Sequence, residues 1–258
     1  MAGFEPRLAL ASLSGEADAA WARAGSEYAG AAFLGGIALD DASRAAAREL
    51  VARDRDEFLP DDPLAFVDSE LSKLADSSLT VGFNVRSATV GPVADAAAVC
   101  ADHDAILEIN AHCRQEELCA VGCGESLLRD TDRLAEYVAA AVDAGATVSV
   151  KVRAEVDGVD LVETAEAVEA AGADLIHIDA MDSESVVGDV ADATGLFVVA
   201  NNGVRDAATV REYLEYGADA VSVGRPSDNP AVLRRVRAAV DGWFAGGGED
   251  RPEPEASP

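Results

Sequence analysis

Lysine is almost missing from this chain: two of its 258 residues are lysines, Lys73 and Lys151. Lysine and arginine together number 20 against 48 aspartates and glutamates, a formal net charge of −28. A negative field of that size disfavours general nucleic-acid binding, because phosphates are held by Lys and Arg, so any RNA contact has to rest on a local arginine patch. The same surface repels itself in dilute buffer. At molar salt the Debye length falls to roughly 3 Å and the repulsion largely disappears. Acids spread along the whole chain, with abundant Ala, Val and Gly, therefore indicate a salt-rich cytoplasm; an acidic partner-binding surface is the alternative. No apolar run is long enough to span a membrane. The opening MAGFEPRLALAS has no basic segment leading into an apolar one, so a cytoplasmic protein without a membrane partner is expected. The four cysteines, Cys100, Cys113, Cys119 and Cys123, are expected to be reduced there. Their C-x5-C-x3-C spacing is not a zinc pattern, and no metal is expected.

Several segments share one pattern. VDAGATVSVKV (142–152), VEAAGADLIHID (168–179) and LEYGADAVSVGR (214–225) each run from helix through Gly-Ala into an apolar strand. The glycine suits the left-handed residue that closes a helix, and near-continuous apolar strands between helices mark a parallel sheet covered on both faces. The pattern gives eight strands, at residues 7–12, 29–34, 80–84, 105–110, 147–152, 175–179, 196–200 and 220–224. The second connection is long enough for two helices broken at LPDDP. Eight β-α units predict a single-domain α/β fold, a (β/α)8 TIM barrel over residues 1–244; an open doubly wound sheet is the competitor. The Gly, Pro and acid of residues 245–258 predict a disordered tail.

In such a barrel, ligands bind at the carboxyl ends of the strands. Those ends carry Ser12, Asn84, the run Asn110-Ala111-His112-Cys113-Arg114, Lys151 and Arg153, His177 and Asp179, Asn201-Asn202-Gly203, and Gly224-Arg225. Polar and basic groups thus gather on one rim of an acidic protein. Lys151 sits in the apolar strand VSVKVR, where an unpaired ammonium is costly. It implies either an anionic or electron-rich ligand, or an ion pair with an acid such as Glu108. The small turns NNGV and VGRP after strands 7 and 8 suit a phosphate held by backbone N–H groups. His177 reads equally as a core histidine or a functional one, with Asp179 and Asp182 as candidates to orient it. A thiol at Cys113 beside His112 and Arg114 is expected to be more acidic than a free cysteine, and it can serve as proton donor or nucleophile.

In this order the motifs resemble the tRNA-dihydrouridine synthases. NAHC at 110–113 resembles that family's N-x-G-C motif, and GCGESLLRD at 122–130 the segment that follows it. VKVR at 150–153 resembles its K-x-R strand. ANNGV resembles its N-G turn, and DAVSVGR with Asn229-Pro230 its closing motif. His177 falls where the family's strand-6 histidine sits. The similarity covers residues 105–235. The sequence departs at Arg114, where a proline is usual, at Ile178-Asp179-Ala180, where the family has Gly-Arg-Thr, and at Asn84 in place of a glutamine. A shortened archaeal branch is expected.

The resemblance implies an FMN-dependent TIM-barrel oxidoreductase that draws on NADPH or NADH and reduces the C5=C6 bond of a uracil, free or within tRNA. It implies that Lys151, His177, Asn84 and Ser12 contact FMN, with Asn201, Gly203, Gly224 and Arg225 on its phosphate. Asn110, His112, Arg114 and Arg153 would face the pyrimidine, and Cys113 would be the proton donor. The other readings are a dihydroorotate or dihydropyrimidine dehydrogenase-like flavoenzyme, a flavin-free phosphosugar barrel and a non-catalytic binding barrel. The oligomeric state is not legible.

Overall fold

Eight parallel strands follow one another around a closed barrel in chain order. They are β1 (Leu8–Leu10), β2 (Ala31–Ala38), β3 (Thr80–Arg86), β4 (Ile106–Asn110), β5 (Thr147–Arg153), β6 (Leu175–Asp179), β7 (Phe197–Asn201) and β8 (Ala220–Val223). The computed structural model from which this follows describes residues 3–246. Closure rules out the open sheet, since Leu8 pairs with Val221 and Leu10 with Val223, leaving neither β1 nor β8 an edge. The helices between strands are α1 (Ala19–Gly25), α2 (Asp41–Val51), α3 (Pro63–Ser72), α4 (Val90–Asp102), α5 (Glu116–Ala120), α6 (Glu125–Leu128), α7 (Thr131–Asp143), α8 (Leu161–Ala170), α9 (Val186–Ala193) and α10 (Ala207–Glu215), and α11 (Pro230–Ala245) follows β8. The long second connection holds α2 and α3, as its sequence predicts. Among the described residues no helix is long and apolar enough to cross a membrane.

Part of the acid excess has a structural use. The side chains of Asp18, Asp40, Asp62, Asp130, Asp160 and Asp206 accept hydrogen bonds from first-turn N–H groups of α1, α2, α3, α7, α8 and α10. A capping carboxylate satisfies an otherwise orphaned donor and opposes the helix dipole, which stabilises each helix by about 1 kcal/mol.

Side chains alternate along each strand, one facing the helices and the next the lumen. The floor of the lumen is apolar: Phe4, Ala9, Ala31, Phe33, Ile106, Leu175, Val199 and Ala220 form one cluster. Gly82 makes room for it, because a Cβ there would lie 2.5 Å from the Phe33 ring. Two residues further along the strands the lumen turns polar, with Asn84, Glu108, Ser149, His177 and Ser222 all at 0% exposure. The inward alternation of eight strands thus stacks a polar layer on an apolar plug, directly below the mouth.

Two expectations are modified. β2 does not stop at Leu34. Gly35 and Gly36 take φ of +81° and +88°, which makes a bulge and lets Ile37 and Ala38 resume pairing with Val85 and Arg86. Between β4 and α7 the chain forms two short helices, α5 and α6, separated by a turn with positive φ at Gly122 and Gly124. Of the tail expected to be disordered, Ala245 instead ends α11 and Gly246 caps it; the remainder lies outside the described residues.

Candidate active site

Register places the site residues in rows across the sheet. Asn110 on β4 lies beside Lys151 on β5, and Lys151 beside His177 on β6. Below them, Asn84 lies beside Glu108, and Glu108 beside Ser149. A directional hydrogen-bond chain links these rows. The N–H groups of His112 and Cys113 donate to Asn110 Oδ1 (3.3 and 3.0 Å). Asn110 Nδ2 donates to Asn84 Oδ1 (2.9 Å), and Asn84 Nδ2 donates to Glu108 Oε1 (2.7 Å). Glu108 Oε2 lies 2.7 Å from His177 Nδ1, and His177 Nε2 lies 2.8 Å from Ser222 Oγ. The loop that carries Cys113 is therefore tied, through two amides, to a carboxylate at the centre of the barrel.

The charges follow from this arrangement. Burial alone would raise the Glu108 carboxyl, but His177, Lys151 and the Asn84 amide hold it below its ordinary value. Burial pushes His177 down, which favours the neutral ring. That ring donates Nδ1–H to Glu108 and accepts from Ser222 through Nε2. His177 is thus held by Glu108 and Ser222, and neither Asp179 nor Asp182 orients it. Glu108 is the residue that sequence reading underrated, although a lone acid inside LEIN, a strand of apolar neighbours, is itself a signal that a partner exists.

Lys151 is 2% exposed. Its hydrogen bond among the described residues is a long one, 3.4 Å to Ser12 Oγ in the loop after β1. Among the described residues it makes no ion pair within 4 Å, so the expected alternative of direct pairing with Glu108 does not hold. Burial lowers its pKa, while the nearby carboxylates of Glu108 and Asp179 oppose that change.

Asp179 pairs instead with the mouth loops. Its Oδ2 lies 2.9 Å from His112 Nε2, and its Oδ1 accepts from Asn202 Nδ2 at 2.7 Å. Burial would raise its carboxyl, but those bonds and Lys151 hold it far below the ordinary range.

Cys113 corrects a second expectation. Burial pushes its thiol above the ordinary value, and the cation that opposes this is Arg86, the last residue of β3. Arg114 is exposed, and burial pushes the His112 ring toward its neutral form. Arg86 itself is 2% exposed. It pairs with Glu57 at 3.0 Å and donates to Ser14 Oγ and the Gly36 carbonyl. It thus ties two neighbouring loops and the β2 bulge together beside the thiol. Gly124 completes the seat. With φ of +59° it lies so close that a Cβ would stand 2.1 Å from the Cys113 carbonyl oxygen, to which Glu125 N–H donates at 2.8 Å.

The β7 and β8 ends leave space. A Cβ on Gly203 or Gly224 would meet nothing within 4 Å, and among the described residues neither backbone N–H donates to a protein acceptor. Arg225 is exposed beside them, and Asn201 is half-buried. Arg153 does not join the Lys151 row. It lines an adjoining cavity of about 400 Å³, with Glu155, Asp160, Ser183 and Asp189.

Residues 66–246 match the dihydrouridine synthase (Dus) family. The chain is 32% identical over 187 residues to a probable tRNA-dihydrouridine synthase of Rhodobacter capsulatus, covering 65% of this chain and 58% of that protein. It is 25% identical over 240 residues to an uncharacterized protein of Methanocaldococcus jannaschii, covering 86% and 89% of the two chains. In fold it resembles DHODH in complex with ferulenol from Eimeria tenella, with a TM-score of 0.66 at 14% identity, over 96% of this chain and 86% of that one. With a closed barrel, the motif residues gathered at its mouth and a family match over most of its length, the chain belongs to the dihydrouridine synthase family of flavin-dependent oxidoreductases.

Proposed function

We propose that the protein binds FMN across the mouth of the barrel and reduces the C5=C6 bond of a uracil ring, with Cys113 as proton donor. The observation that carries this reading is Lys151: a buried amine at a strand end, with one 3.4 Å bond and no ion pair among the described residues. Such a group is stabilised by an electron-rich ligand. The donor set supports FMN as that ligand. Lys151 offers a cation to the ring system, while the free N–H groups of Gly203 and Gly224, with Arg225 nearby, suit a phosphate.

FMN held there and reduced by NADPH or NADH would supply hydride chemistry toward one carbon of the double bond. The protein's own contribution is the second hydrogen. Cys113 holds it on Sγ, since burial keeps the thiol protonated. The thiol donates that proton to the other carbon, and the thiolate left behind is stabilised by the guanidinium of Arg86. Asn110 fixes the loop so that the thiol keeps its place. The exposed Arg114 and Arg225 put positive charge at the rim of an acidic surface, which suits a phosphate-bearing substrate such as a uridine within tRNA.

The test is a visible absorption spectrum of the protein purified in molar salt, followed by release and identification of the chromophore. Flavin bands with FMN released are expected, and Lys151→Met should lose them. Turnover of uridine-containing tRNA and of free uridine with NADPH then identifies the substrate. A colourless protein that FMN does not reconstitute would leave a phosphate-binding barrel as the better reading.

A further inference from the structure

His112 and Asp179 occupy two positions at which the family resemblance breaks. His112 stands at the glycine of N-x-G-C, and Asp179 where an arginine is usual. The structure joins them. His112 lies two residues beyond the end of β4, Asp179 ends β6, and β5 runs between them. The imidazole therefore reaches across the end of β5 to place Nε2 2.9 Å from Asp179 Oδ2. The backbone around this crossing is fixed by Ala111 N–H on the Lys151 carbonyl and Ala154 N–H on the Asp179 carbonyl, both 2.8 Å.

A carboxylate only accepts, so the proton on His112 lies on Nε2 and Nδ1 carries a lone pair. Burial favours this neutral ring, with Asp179 acting against it and Lys151 reinforcing it. Nδ1 is itself buried and, among the described residues, has no hydrogen-bond partner. A buried acceptor left unmet is destabilising, and nothing in the barrel uses this one. The neighbouring group on β5 is of the opposite kind, since the Lys151 amine is a donor with one weak bond. An unmet acceptor and an underused donor at the ends of neighbouring strands suit a ring edge in which an N–H stands next to a carbonyl oxygen.

We infer that His112, locked in its tautomer by Asp179, accepts a hydrogen bond from an imide N–H of the bound ligand, with Lys151 serving an adjacent carbonyl. This rests on the pyrimidine and flavin reading above, and it assigns that site a recognition residue. An imide edge occurs in both a uracil ring and the pyrimidine portion of a flavin, so the test has to separate the two.

Protein labelled with ¹⁵N-histidine in molar KCl contains three histidines, and His112→Gln identifies the His112 signals. In the free protein His112 is expected as the Nε2–H tautomer with an unprotonated Nδ1. FMN is then added, followed by uridine on the FMN-loaded protein, with N3-methylated FMN and 3-methyluridine as parallel ligands. A shift of the Nδ1 resonance with FMN alone assigns the acceptor to the cofactor. A shift only on adding uridine assigns it to the substrate. In either case the methylated partner should leave Nδ1 unmoved and bind about tenfold more weakly, and that penalty should vanish in His112→Phe. FMN binding with a static Nδ1 and no methylation penalty would overturn the inference while leaving the proposed function intact. Failure of both FMN and uridine to bind would overturn the two together.

Discussion

Glu108 Oε2 and His177 Nδ1 lie 2.7 Å apart at 0% side-chain exposure, in the middle of the barrel lumen. The carboxylate also receives the Asn84 amide and lies near Lys151 and Ser149. Glu108→Gln removes the charge while keeping the shape, which leaves the lysine uncompensated and the imidazole N–H poorly met. Breaking a buried pair in this way costs about 3–5 kcal/mol, to be read as a lower denaturant midpoint in molar salt. Replacing both partners with apolar residues should cost much less. A single-variant loss below about 1 kcal/mol would mean that the lumen network does not hold the fold.

The same network sets a pH dependence. Burial holds His112 and His177 below the ordinary histidine value. As pH falls through about 6.5, the unfolded chain therefore takes up protons that the folded chain refuses. Stability should be flat above about pH 7.5 and decline toward pH 5.5. The depressed carboxyls of Glu108, Asp179 and Asp40 act lower down. Their contribution is fully present above about pH 5 and is lost as pH falls from there through their folded values. Denaturant midpoints at pH 8, 6.5 and 5.5 check the upper stage, and equal values at all three would contradict it.

The thiol of Cys113 should behave as a protonated, slow nucleophile. Burial raises its pKa against the pull of Arg86, so alkylation by iodoacetamide at pH 8 should be several-fold slower than for an exposed cysteine. Arg86→Lys, which gives up the guanidinium contacts to Glu57, Ser14 and Gly36, is expected to unsettle the two loops and the β2 bulge as well as the thiol. Peptide mapping resolves Cys113 from Cys100, Cys119 and Cys123. Rapid labelling of Cys113 at pH 7 would show a thiolate, and with it the wrong protonation state for a proton donor.

Gly124 offers a sharper probe of the seat. A methyl there would meet the Cys113 carbonyl at 2.1 Å, and the backbone is already at φ +59°. Gly124→Ala should cost at least about 2 kcal/mol and displace the Cys113 loop, visible as faster alkylation of that thiol. Unchanged stability and labelling would show that the close approach relaxes freely.

The barrel was legible because its signals are local. Apolar runs closed by Gly-Ala turns give the strands, and strand ends give the rim. β2 escaped full reading because Gly35-Gly36 looks like a terminus, whereas here it is a bulge inside the strand. Which polar residues lie at the mouth could be read from the sequence, but their partners could not. His177 and Asp179 are two apart on one strand, yet the first faces Glu108 and the second reaches His112. Such pairings are set by side chains crossing neighbouring strands. For the same reason Arg86, remote from Cys113 in sequence, replaces the adjacent Arg114 as the cation acting on the thiol.

The surface charge yields the last expectation. A net charge of −28 on 258 residues opposes compaction wherever it is unscreened, and the chain has few cations with which to pair it. Raising KCl from 0.2 to 1 M shortens the Debye length to roughly 3 Å. If screening recovers about 3 kcal/mol, the melting temperature should climb by on the order of 10 °C, at 2–4 °C per kcal/mol for a domain of this size. Most of the gain should arrive by 1 M, because screening saturates once the Debye length is shorter than the spacing of the charges. A melting temperature that did not respond below 1 M would show that the acids, a few of them engaged as helix caps, are not limiting stability by repulsion.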